Sequence, residues 1–341
     1  MAVVKNEYDV IVIGGGVSGL MAALEISKTG KKVIIVDATN RIGGRVFTLK
    51  DDISGRPIEL GAEFVHGKLD LTQMLIKKAE GQLIKAGDEL WQHRDAKLES
   101  QDDFIEDYSV LKKKYKELEH DVSISHFLEQ KLSGDQYRNL RESIKDYVEG
   151  YYAADTSRSS TSALIEEWEE SESSQYRINE GYDIIIQYLS NELGKTGCFI
   201  QLLSPVSQIN WGKNFVEVIT NKEIINGHKL LITVSLGVLQ SDQLVFTPAI
   251  SDKINAAQAL GYGGAFKLVF HFDNYFWKEH KGKDLSKMSF LFSEEFIPTW
   301  WTQVPADAPI ITGWLAGPKT KQLEYSTDEK IFEEGLRSLG N

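Results

Sequence analysis

The N-terminal part of the chain alternates between a strand pattern and a helical pattern of apolar positions. Residues 9–13 form a short β-branched run that is followed by glycine, which is typical of a strand buried in a parallel sheet. Residues 18–28 carry small and apolar side chains at helical spacing, and Gly30 favours the end of a helix there. Residues 32–37 repeat the strand pattern. Together these stretches predict one β-α-β unit.

Between residues 69 and 168 the pattern changes to helical spacing with charged outer faces. The lysine run at 112–114 and the glutamate-rich run at 166–170 fit the solvated faces of such helices. Helices are predicted at 71–80, 107–120, 124–131, 136–151 and 162–168. We therefore expect this interval to be a helical insertion.

Beyond residue 176 the strand patterns return. A helix is predicted at 181–193, and strands are predicted at 216–220, 229–234, 266–272, 288–292 and 310–315. This order predicts two domains, each assembled from two separate stretches of the chain. Residues 1–75 and 176–246 are assigned to one domain, and residues 76–175 and 247–341 to the other.

Composition and charge narrow the possible functions. The chain has 341 residues, of which 42% are hydrophobic and 26% are charged, as in an ordinary globular protein. Its net charge of −12 disfavours nucleic acids and anionic membrane surfaces as partners. The same charge attracts cationic small molecules at long range.

Targeting signals and metal motifs are not evident in the sequence. The N-terminus lacks the pattern of a secretory signal, and the most apolar stretch, residues 10–26, is too polar and too rich in glycine for a membrane span. We therefore expect a soluble, cytoplasmic protein with no membrane partner. The single cysteine, Cys198, excludes an internal disulfide, and the histidines lack metal-binding spacing, so no metal site is expected.

The strongest motif is G-x-G-x-x-G at residues 14–19, between the first predicted strand and helix. Gly14 permits a tight turn, Gly16 lets the backbone approach a pyrophosphate, and Gly19 permits close packing of helix and strand. The helix N-terminus offers N–H donors to phosphates, and Asp37 offers a carboxylate to ribose hydroxyls. We predict a dinucleotide site, flavin or nicotinamide, with a glycine-rich structural turn as the alternative.

A second glycine pair follows the acidic residue. Gly43 and Gly44 lie between Arg41 and Arg45, and they permit another close backbone approach to an anionic ligand. Guanidinium groups suit phosphate oxygens or a reduced, anionic flavin. The segment therefore favours a flavin, and a surface loop with two arginines is the alternative.

These residues carry a resemblance to a known family. Residues 9–45 resemble the opening of the flavin-containing amine oxidases, the monoamine and polyamine oxidase family. Residues 58–67 are similar to the family segment that passes the flavin ring, and residues 231–277 resemble its second signature. The resemblance implies an α/β fold, with a Rossmann-type FAD-binding domain and an α+β substrate domain, both discontinuous in sequence. It also implies non-covalent FAD, because Cys198 matches no flavin-attachment cysteine.

The resemblance also implies roles for single residues. Lys267 matches the family lysine that holds a water against flavin N5. Glu63 and His66 lie where several members place side chains that contact the substrate. The positions that match FAD contacts are Ser18, Asp37, Arg45, Gly61, Ala62 and Val206, the last through its backbone beside the adenine.

Each of these side chains has a structural alternative. Lys267 lies on the outer face of an alternating strand, which is also the pattern of a solvent-facing edge. His66 is equally consistent with a buried core histidine. Glu63 could instead pair with Arg45 or Arg56.

The adjacent tryptophans Trp300 and Trp301 are further candidates for the substrate site. An aromatic wall would attract an amine through cation–π interactions. Neighbouring residues of a strand point to opposite faces of the sheet. At most one of the two therefore lines a site, and the other is expected in the core.

The implied reaction is the oxidation of a primary or secondary amine. The reacting nitrogen is neutral, and transfer of a hydride from the α-carbon to flavin N5 leaves an imine, which hydrolyses to an aldehyde or ketone. O2 then reoxidises the flavin and gives hydrogen peroxide. A flavin oxidase or desaturase that acts on a non-amine is the alternative. The sequence identifies neither the amine nor the oligomeric state.

Some positions depart from the family pattern. Thr39 stands where many members have an arginine, and Glu180 precedes Gly181 where a Gly-Gly pair is usual. The chain stops at Asn341, whereas family members continue with a segment that closes over the flavin. A folded but non-catalytic fragment is therefore a further alternative.

Overall fold

The structure, a computed structural model, describes residues 7–52, 55–170 and 174–340. The α-helices of these residues are α1 (Val17–Ser27), α2 (Asp70–Lys78), α3 (Tyr108–Tyr115), α4 (Ile124–Lys131), α5 (Arg138–Tyr152), α6 (Thr161–Glu170), α7 (Asp183–Thr196), α8 (Leu236–Gln240), α9 (Ser251–Ala259) and α10 (Asp328–Gly340). The strands are β1 (Glu7–Ile13), β2 (Val33–Val36), β3 (Thr48–Lys50), β4 (Pro57–Glu59), β5 (Val65–His66), β6 (Leu83–Lys85), β7 (Glu89–Arg94), β8 (Lys97–Gln101), β9 (Gln175–Ile178), β10 (Phe199–Gln201), β11 (Val206–Gly212), β12 (Phe215–Thr220), β13 (Ile224–Ile232), β14 (Val245–Thr247), β15 (Ala265–His271), β16 (Glu279–His280), β17 (Lys283–Asp284), β18 (Met288–Ser293), β19 (Thr299–Thr302) and β20 (Ile310–Ala316).

The chain divides into two compact units. The first comprises Met1–Ile84 and Tyr176–Leu260, and the second comprises Lys85–Gln175 and Gly261–Asn341. Each unit is discontinuous in sequence, as expected. The first unit extends past the boundaries at residues 75 and 246 that the sequence indicated, because it includes the whole of α2 and also α9, which packs on α8.

The first unit is built on a sheet with the strand order β10–β2–β1–β13–β12–β11–β14. Strand β1 pairs in parallel with both β2 and β13, so that Ile11 lies between Ile34 and Leu230. Val12 and Ile35 pack with residues of α1 and α7 on one face, and Ile11 packs in a second cluster on the other. Burial on both faces explains the continuous apolar runs, and the predicted β-α-β unit is confirmed.

The turn that joins β1 to α1 depends on glycine. Gly14 has a φ angle of +106°, a conformation that side-chain-bearing residues rarely adopt. A Cβ atom built on Gly19 would overlap the carbonyl oxygen of Gly14, so the first turn of the helix packs directly on the strand end. The predicted functions of these two glycines in the turn agree with this geometry.

The second unit combines a sheet with a layer of helices. Its sheet has the strand order β15–β20–β19–β18–β7–β8. Helices α3 to α6 form an apolar cluster of their own, which includes Leu111, Phe127, Leu132, Ile144 and Ile165. The helix predicted at 124–131 coincides with α4, whereas α3 ends at Tyr115 rather than at residue 120.

The helical insertion predicted between residues 69 and 168 also contains strands. Strands β6, β7 and β8 lie within it. Strand β7 pairs in parallel with β18, with Leu90 opposite Phe290, and in antiparallel with β8. Pairing with a strand so distant in sequence leaves no trace in the local spacing of apolar residues, so helical periodicity nearby dominated the prediction.

We expect Gly19→Ala to destabilise the protein, because the added methyl group would be forced against the Gly14 carbonyl. Overpacking of this kind costs about 1–3 kcal/mol of the free energy of unfolding. The matched control is Gly194→Ala within α7, where an added methyl group meets no atom within 4 Å. There we expect a gain of about 0.4–1 kcal/mol. Urea denaturation followed by circular dichroism measures both, and equal effects would contradict the packing at Gly19.

Candidate functional site

The N-terminus of α1 is an open, glycine-lined turn in the first unit. Gly16 is the N-cap residue, no side chain caps the helix, and its first turn carries no acidic residue. A Cβ atom at Gly16 would have only the Cα of Gly44 within 4 Å, at 3.9 Å, and Ser18 is exposed on the same turn. Uncapped N–H groups at a helix N-terminus are suited to phosphate oxygens. These residues therefore fit the pyrophosphate of a dinucleotide.

Asp37 fixes this turn from the end of β2. Its Oδ2 accepts a hydrogen bond of 2.6 Å from the Gly15 N–H, and its Oδ1 accepts bonds of 2.8 Å and 2.7 Å from the N–H and Oγ1 of Thr39. Carboxylate oxygens have about four lone-pair sites in total. Asp37 therefore retains capacity for a ribose hydroxyl, and Thr39, the departure from the family pattern, helps to orient it.

Val206 begins β11 close to the same strand end. The Ser204 N–H donates to the carbonyl of Asp37 at 2.9 Å, and the Leu203 N–H donates to the carbonyl of Thr39 at 2.8 Å. The segment that leads into Val206 is therefore attached to the residues that follow β2. This position is compatible with the predicted backbone contact to an adenine.

The second glycine segment packs directly on the first. The Gly43 N–H donates to the Gly15 carbonyl at 2.8 Å, and Gly43 forms a parallel bridge with Gly16. Gly43 has a φ angle of +107°. A Cβ atom on Gly44 would lie 3.1 Å from the Cα of Gly16. Two loops thus meet backbone to backbone, in an arrangement that larger residues would separate.

Of the two arginines predicted to face an anion, Arg41 also binds backbone carbonyls of its own loop. Its guanidinium donates to the carbonyls of Gly44 and Val46 at 2.8 Å and 3.0 Å, and it lies 4.2 Å from the centroid of the Phe47 ring. Arg41 therefore holds the loop in shape, because its donors are directed at backbone carbonyls. Arg45 is exposed and remains a candidate for contact with an anion.

The segment with Gly61 and Ala62 lies directly beside Arg45. The Ala62 N–H donates to the Arg45 carbonyl at 3.0 Å, and the Leu60 N–H donates to the Phe47 carbonyl at 2.8 Å. A Cβ atom on Gly61 would overlap the Arg45 carbonyl oxygen. The residues predicted to pass the flavin ring are thus attached to the loop that packs on the phosphate turn.

Glu63 and His66 follow in the same segment. Oε1 of Glu63 accepts a hydrogen bond of 3.1 Å from Nε of Arg177, and the two form an ion pair. The sequence named Arg45 and Arg56 as candidate partners and missed Arg177. Burial lowers the pKa of the His66 imidazole, so this side chain is neutral at neutral pH. Its ring centroid lies 6.0 Å from that of Phe64.

Thr233 is a second residue that sequence reasoning missed. It follows β13. Its hydroxyl lies 3.0 Å from the carbonyl oxygens of both Ile13 and Gly14 and donates to them. Its N–H donates to the Ile13 carbonyl at 2.8 Å. Thr233 therefore supports the glycine turn from the neighbouring strand. A signal was available, because the residue lies in the second stretch that resembles the family.

Lys267 lies in the second unit, on the edge strand β15. It pairs with Trp314 of β20, and its Nζ lies 5.5 Å from the centroid of the Trp301 ring. Leu268 and Phe270 point to the opposite face and into the core. The alternation predicted for this strand is confirmed, and it places the half-buried Lys267 beside an aromatic ring on the outer face.

The two tryptophans point to opposite faces of β19. Trp300 is 1% exposed, donates from Nε1 to the Ile297 carbonyl at 3.0 Å, and lies 5.9 Å from Phe270 in the core. Trp300 is therefore the member of the pair that packs in the core, whereas Trp301 is 6% exposed on the other face of the strand. Trp301, on the face of Lys267, remains the candidate of the pair.

Two structural properties bear on metals and membranes. Among residues 7–52, 55–170 and 174–340, no group of three or more His, Cys, Asp or Glu side chains is arranged to hold a metal ion. Within the same described part of the chain, no helix combines the length and the apolar character needed to cross a membrane.

Comparison with known sequences places these residues in a family. The model of the flavin containing amine oxidoreductases matches residues 17–83 and 81–341. Polyamine oxidase 4 of Oryza sativa subsp. japonica is 30% identical over 301 residues, which cover 79% of this chain and 60% of that protein. Lysine-specific histone demethylase 2 of Homo sapiens is 28% identical over 303 residues, which cover 80% of this chain and 35% of that protein. The chain thus matches only part of the length of these relatives.

Solved structures share the fold. Cyclohexylamine oxidase from Brevibacterium oxydans IH-35A superposes with a TM-score of 0.76 at 18% identity, over 98% of this chain and 80% of that chain. Wild-type putrescine oxidase bound to putrescine gives a TM-score of 0.71 at 18% identity, over 98% and 81%. The expected α/β fold, with a Rossmann-type FAD-binding domain and an α+β substrate domain, is confirmed.

The family match extends across both units of the chain. The open glycine turn, the acidic residue after β2 and the loop that packs on the turn agree with the family's flavin cofactor, FAD. The resemblance inferred from the sequence is confirmed: the chain belongs to the flavin-containing amine oxidoreductases.

Proposed function

We propose that the protein oxidises a primary or secondary amine with FAD as cofactor and O2 as electron acceptor. The observation that carries this proposal is the backbone contact between the glycine turn at residues 14–19 and the loop at residues 41–45. This contact would form the site for the phosphates and the ring of FAD, the cofactor of this family. The amine is proposed to be a small molecule, which the net charge of −12 attracts when it is cationic.

The residues of the first unit would hold FAD along its length. The turn with Gly16 and Ser18 would bind the pyrophosphate, and Asp37 would bind the ribose. The residues proposed to contact FAD are Gly14, Gly16, Ser18, Gly19, Asp37, Gly43, Gly44, Arg45, Gly61, Ala62 and Val206. Arg41 supports them through the loop carbonyls that it binds.

FAD, when bound, would supply the redox chemistry: it would accept a hydride from the amine α-carbon and pass the electrons to O2, which is reduced to hydrogen peroxide. The protein would contribute position and charge. His66 is kept neutral by burial, so it does not repel an ammonium group. Trp301 would present an aromatic face to the amine, and the ammonium of Lys267 would orient a water.

The proposal is tested first by the absorption spectrum of the purified protein and by anaerobic addition of amines. We expect a flavin band that a primary or secondary amine bleaches, and hydrogen peroxide on admission of air. A methylated lysine peptide should be included, because one group of relatives is named for histone demethylation. Bleaching by a non-amine alone would replace the proposal with the alternative flavin oxidase or desaturase. A protein that cannot take up FAD would favour the non-catalytic fragment.

We expect FAD to be released when the protein is precipitated with acid, because no covalent link is proposed. Cys198 lies between α7 and β10, and burial raises the pKa of its thiol, which lowers the thiolate fraction needed for flavin attachment. The flavin absorbance should appear in the supernatant and not in the redissolved protein pellet. Flavin that stays with the denatured protein would contradict a non-covalent site.

Lys267→Met should slow flavin reduction or reoxidation by roughly 10²-fold, as expected for loss of a group that positions a proton-transferring water. The matched control is Lys283→Met, since Lys283 also lies over a tryptophan ring, 5.8 Å from the centroid of Trp91, but is exposed on β17. Stopped-flow absorbance measures both half-reactions. Rates for Lys267→Met equal to those of the control in both half-reactions would remove Lys267 from the mechanism.

A further inference from the structure

Glu63 and Arg177 form a buried ion pair in the first unit. Nε of Arg177 lies 3.1 Å from Oε1 of Glu63, and their side chains are 12% and 5% exposed. Burial lowers the pKa of the Arg177 guanidinium, and the carboxylate opposes that shift. Guanidinium groups stay protonated in proteins, so the pair consists of two charges that cancel.

The pair belongs to a segment that is fixed on several sides. The guanidinium carbon of Arg177 lies 4.6 Å from the centroid of the Phe64 ring. The carbonyl of Phe64 accepts a hydrogen bond of 3.2 Å from Oη of Tyr182. Strand β9, which carries Arg177, lies between β6 and the strand β5 that ends at His66. Arg177 is thus held in place by its own strand as well as by Glu63.

Glu63 also lies close to the residues proposed to bind the cofactor. It follows Ala62 directly, and the Ala62 N–H is bound to the Arg45 carbonyl at 3.0 Å. Arg45 belongs to the loop that packs on the glycine turn. Glu63 therefore lies within the segment proposed to pass the flavin ring, directly after Ala62 and three residues before His66.

A buried carboxylate at this position would attract a cationic substrate group. Charges interact far more strongly in a protein interior than in water, and a charge-assisted hydrogen bond to an ammonium would add to that attraction. The guanidinium of Arg177 cancels this attraction in advance. A substrate ammonium that approached Glu63 would have to displace Arg177 from both the carboxylate and the Phe64 ring.

We propose that Arg177 determines substrate specificity by neutralising Glu63, so that the site selects amines with no second ammonium group. The proposal rests on the proposed amine oxidation. Arg177 acts through Glu63 and is a positioning residue, not a catalytic one. A diamine whose reacting nitrogen is neutral still carries one ammonium at its other end, and Arg177 removes the charge that would bind it.

The test compares two substrates of equal length, 1,4-diaminobutane and pentylamine, which differ by an ammonium group in place of a methyl group. The readout is the ratio of kcat/KM for the diamine to kcat/KM for the monoamine, measured by peroxide release from FAD-loaded protein. Anaerobic isothermal titration calorimetry gives the same ratio for binding, independently of turnover. The variants are Arg177→Gln, Arg177→Lys, Glu63→Gln and the double variant Arg177→Gln/Glu63→Gln.

Arg177→Gln should raise the ratio by about 10-fold or more, which corresponds to one charge-assisted hydrogen bond gained by the diamine. Glu63→Gln should lower the ratio, because it leaves the positive charge of Arg177 without the carboxylate charge. Arg177→Lys keeps the positive charge, and the double variant removes both charges. Both should retain a ratio close to that of the wild-type protein.

A purely structural ion pair would give a different result. Stability and FAD content would fall in the single variants, while the ratio stayed within about twofold of wild type, a change too small to represent a lost charge interaction. That outcome would overturn the proposal. If Arg177→Gln does not fold, Glu63→Gln and Arg177→Lys still decide it, since only the first should lower the ratio. FAD-loaded wild-type protein that is bleached by neither amine nor by any other amine of the panel would instead refute the proposed function, and calorimetry would show separately whether Arg177 controls binding of the diamine.

Discussion

The site depends on a contact between two backbone turns that only glycine permits. Gly43 donates to the Gly15 carbonyl, and Gly16 pairs with Gly43, so that two loops touch without side chains between them. The position of the next segment depends on this contact, because Arg45 ends the second loop and its carbonyl accepts a hydrogen bond from the Ala62 N–H. A side chain at the contact would push the second loop away from the phosphate turn, and the ring segment attached to that loop would move with it. Substitutions there should therefore affect cofactor binding more than their size implies.

The parts of the fold that could be predicted are those encoded by neighbouring residues. The β-α-β unit has a strand period, a helix period and a glycine turn in uninterrupted order, and each signal agrees with the others. Strands β7 and β8 lack such agreement, because few of their residues are apolar and because β7 is completed by a distant strand. The β7 strand gains its backbone hydrogen bonds partly from β18, which lies about 200 residues further along the chain, since Glu89 pairs with Met288. Local periodicity carries no information about such a partner.

The site shows the same division between local and distant signals. The glycines and Asp37 could be predicted, because their spacing around a strand and a helix is typical of a dinucleotide-binding turn. Arg177 could not, since its pairing with Glu63 joins residues 114 positions apart. Arg41 makes contacts that residue spacing alone does not predict. Its position suits an anion, but three backbone carbonyls of its own loop also lie within hydrogen-bonding distance of its guanidinium.

Arg41 and Arg177 in the first unit, and Lys267 in the second, each lie over an aromatic ring, and the chemistry of each cation indicates its function. Arg41 lies 4.2 Å from the Phe47 centroid and Arg177 lies 4.6 Å from that of Phe64. Each arginine also directs its planar donors at carbonyls or a carboxylate, so stacking and hydrogen bonding fix the same orientation. Lys267, at 5.5 Å from the Trp301 centroid, has a compact ammonium on a flexible stem with donors that rotate. The two arginines are therefore suited to hold backbone and charge in place, whereas only the lysine can turn a donor toward a water that moves during a reaction.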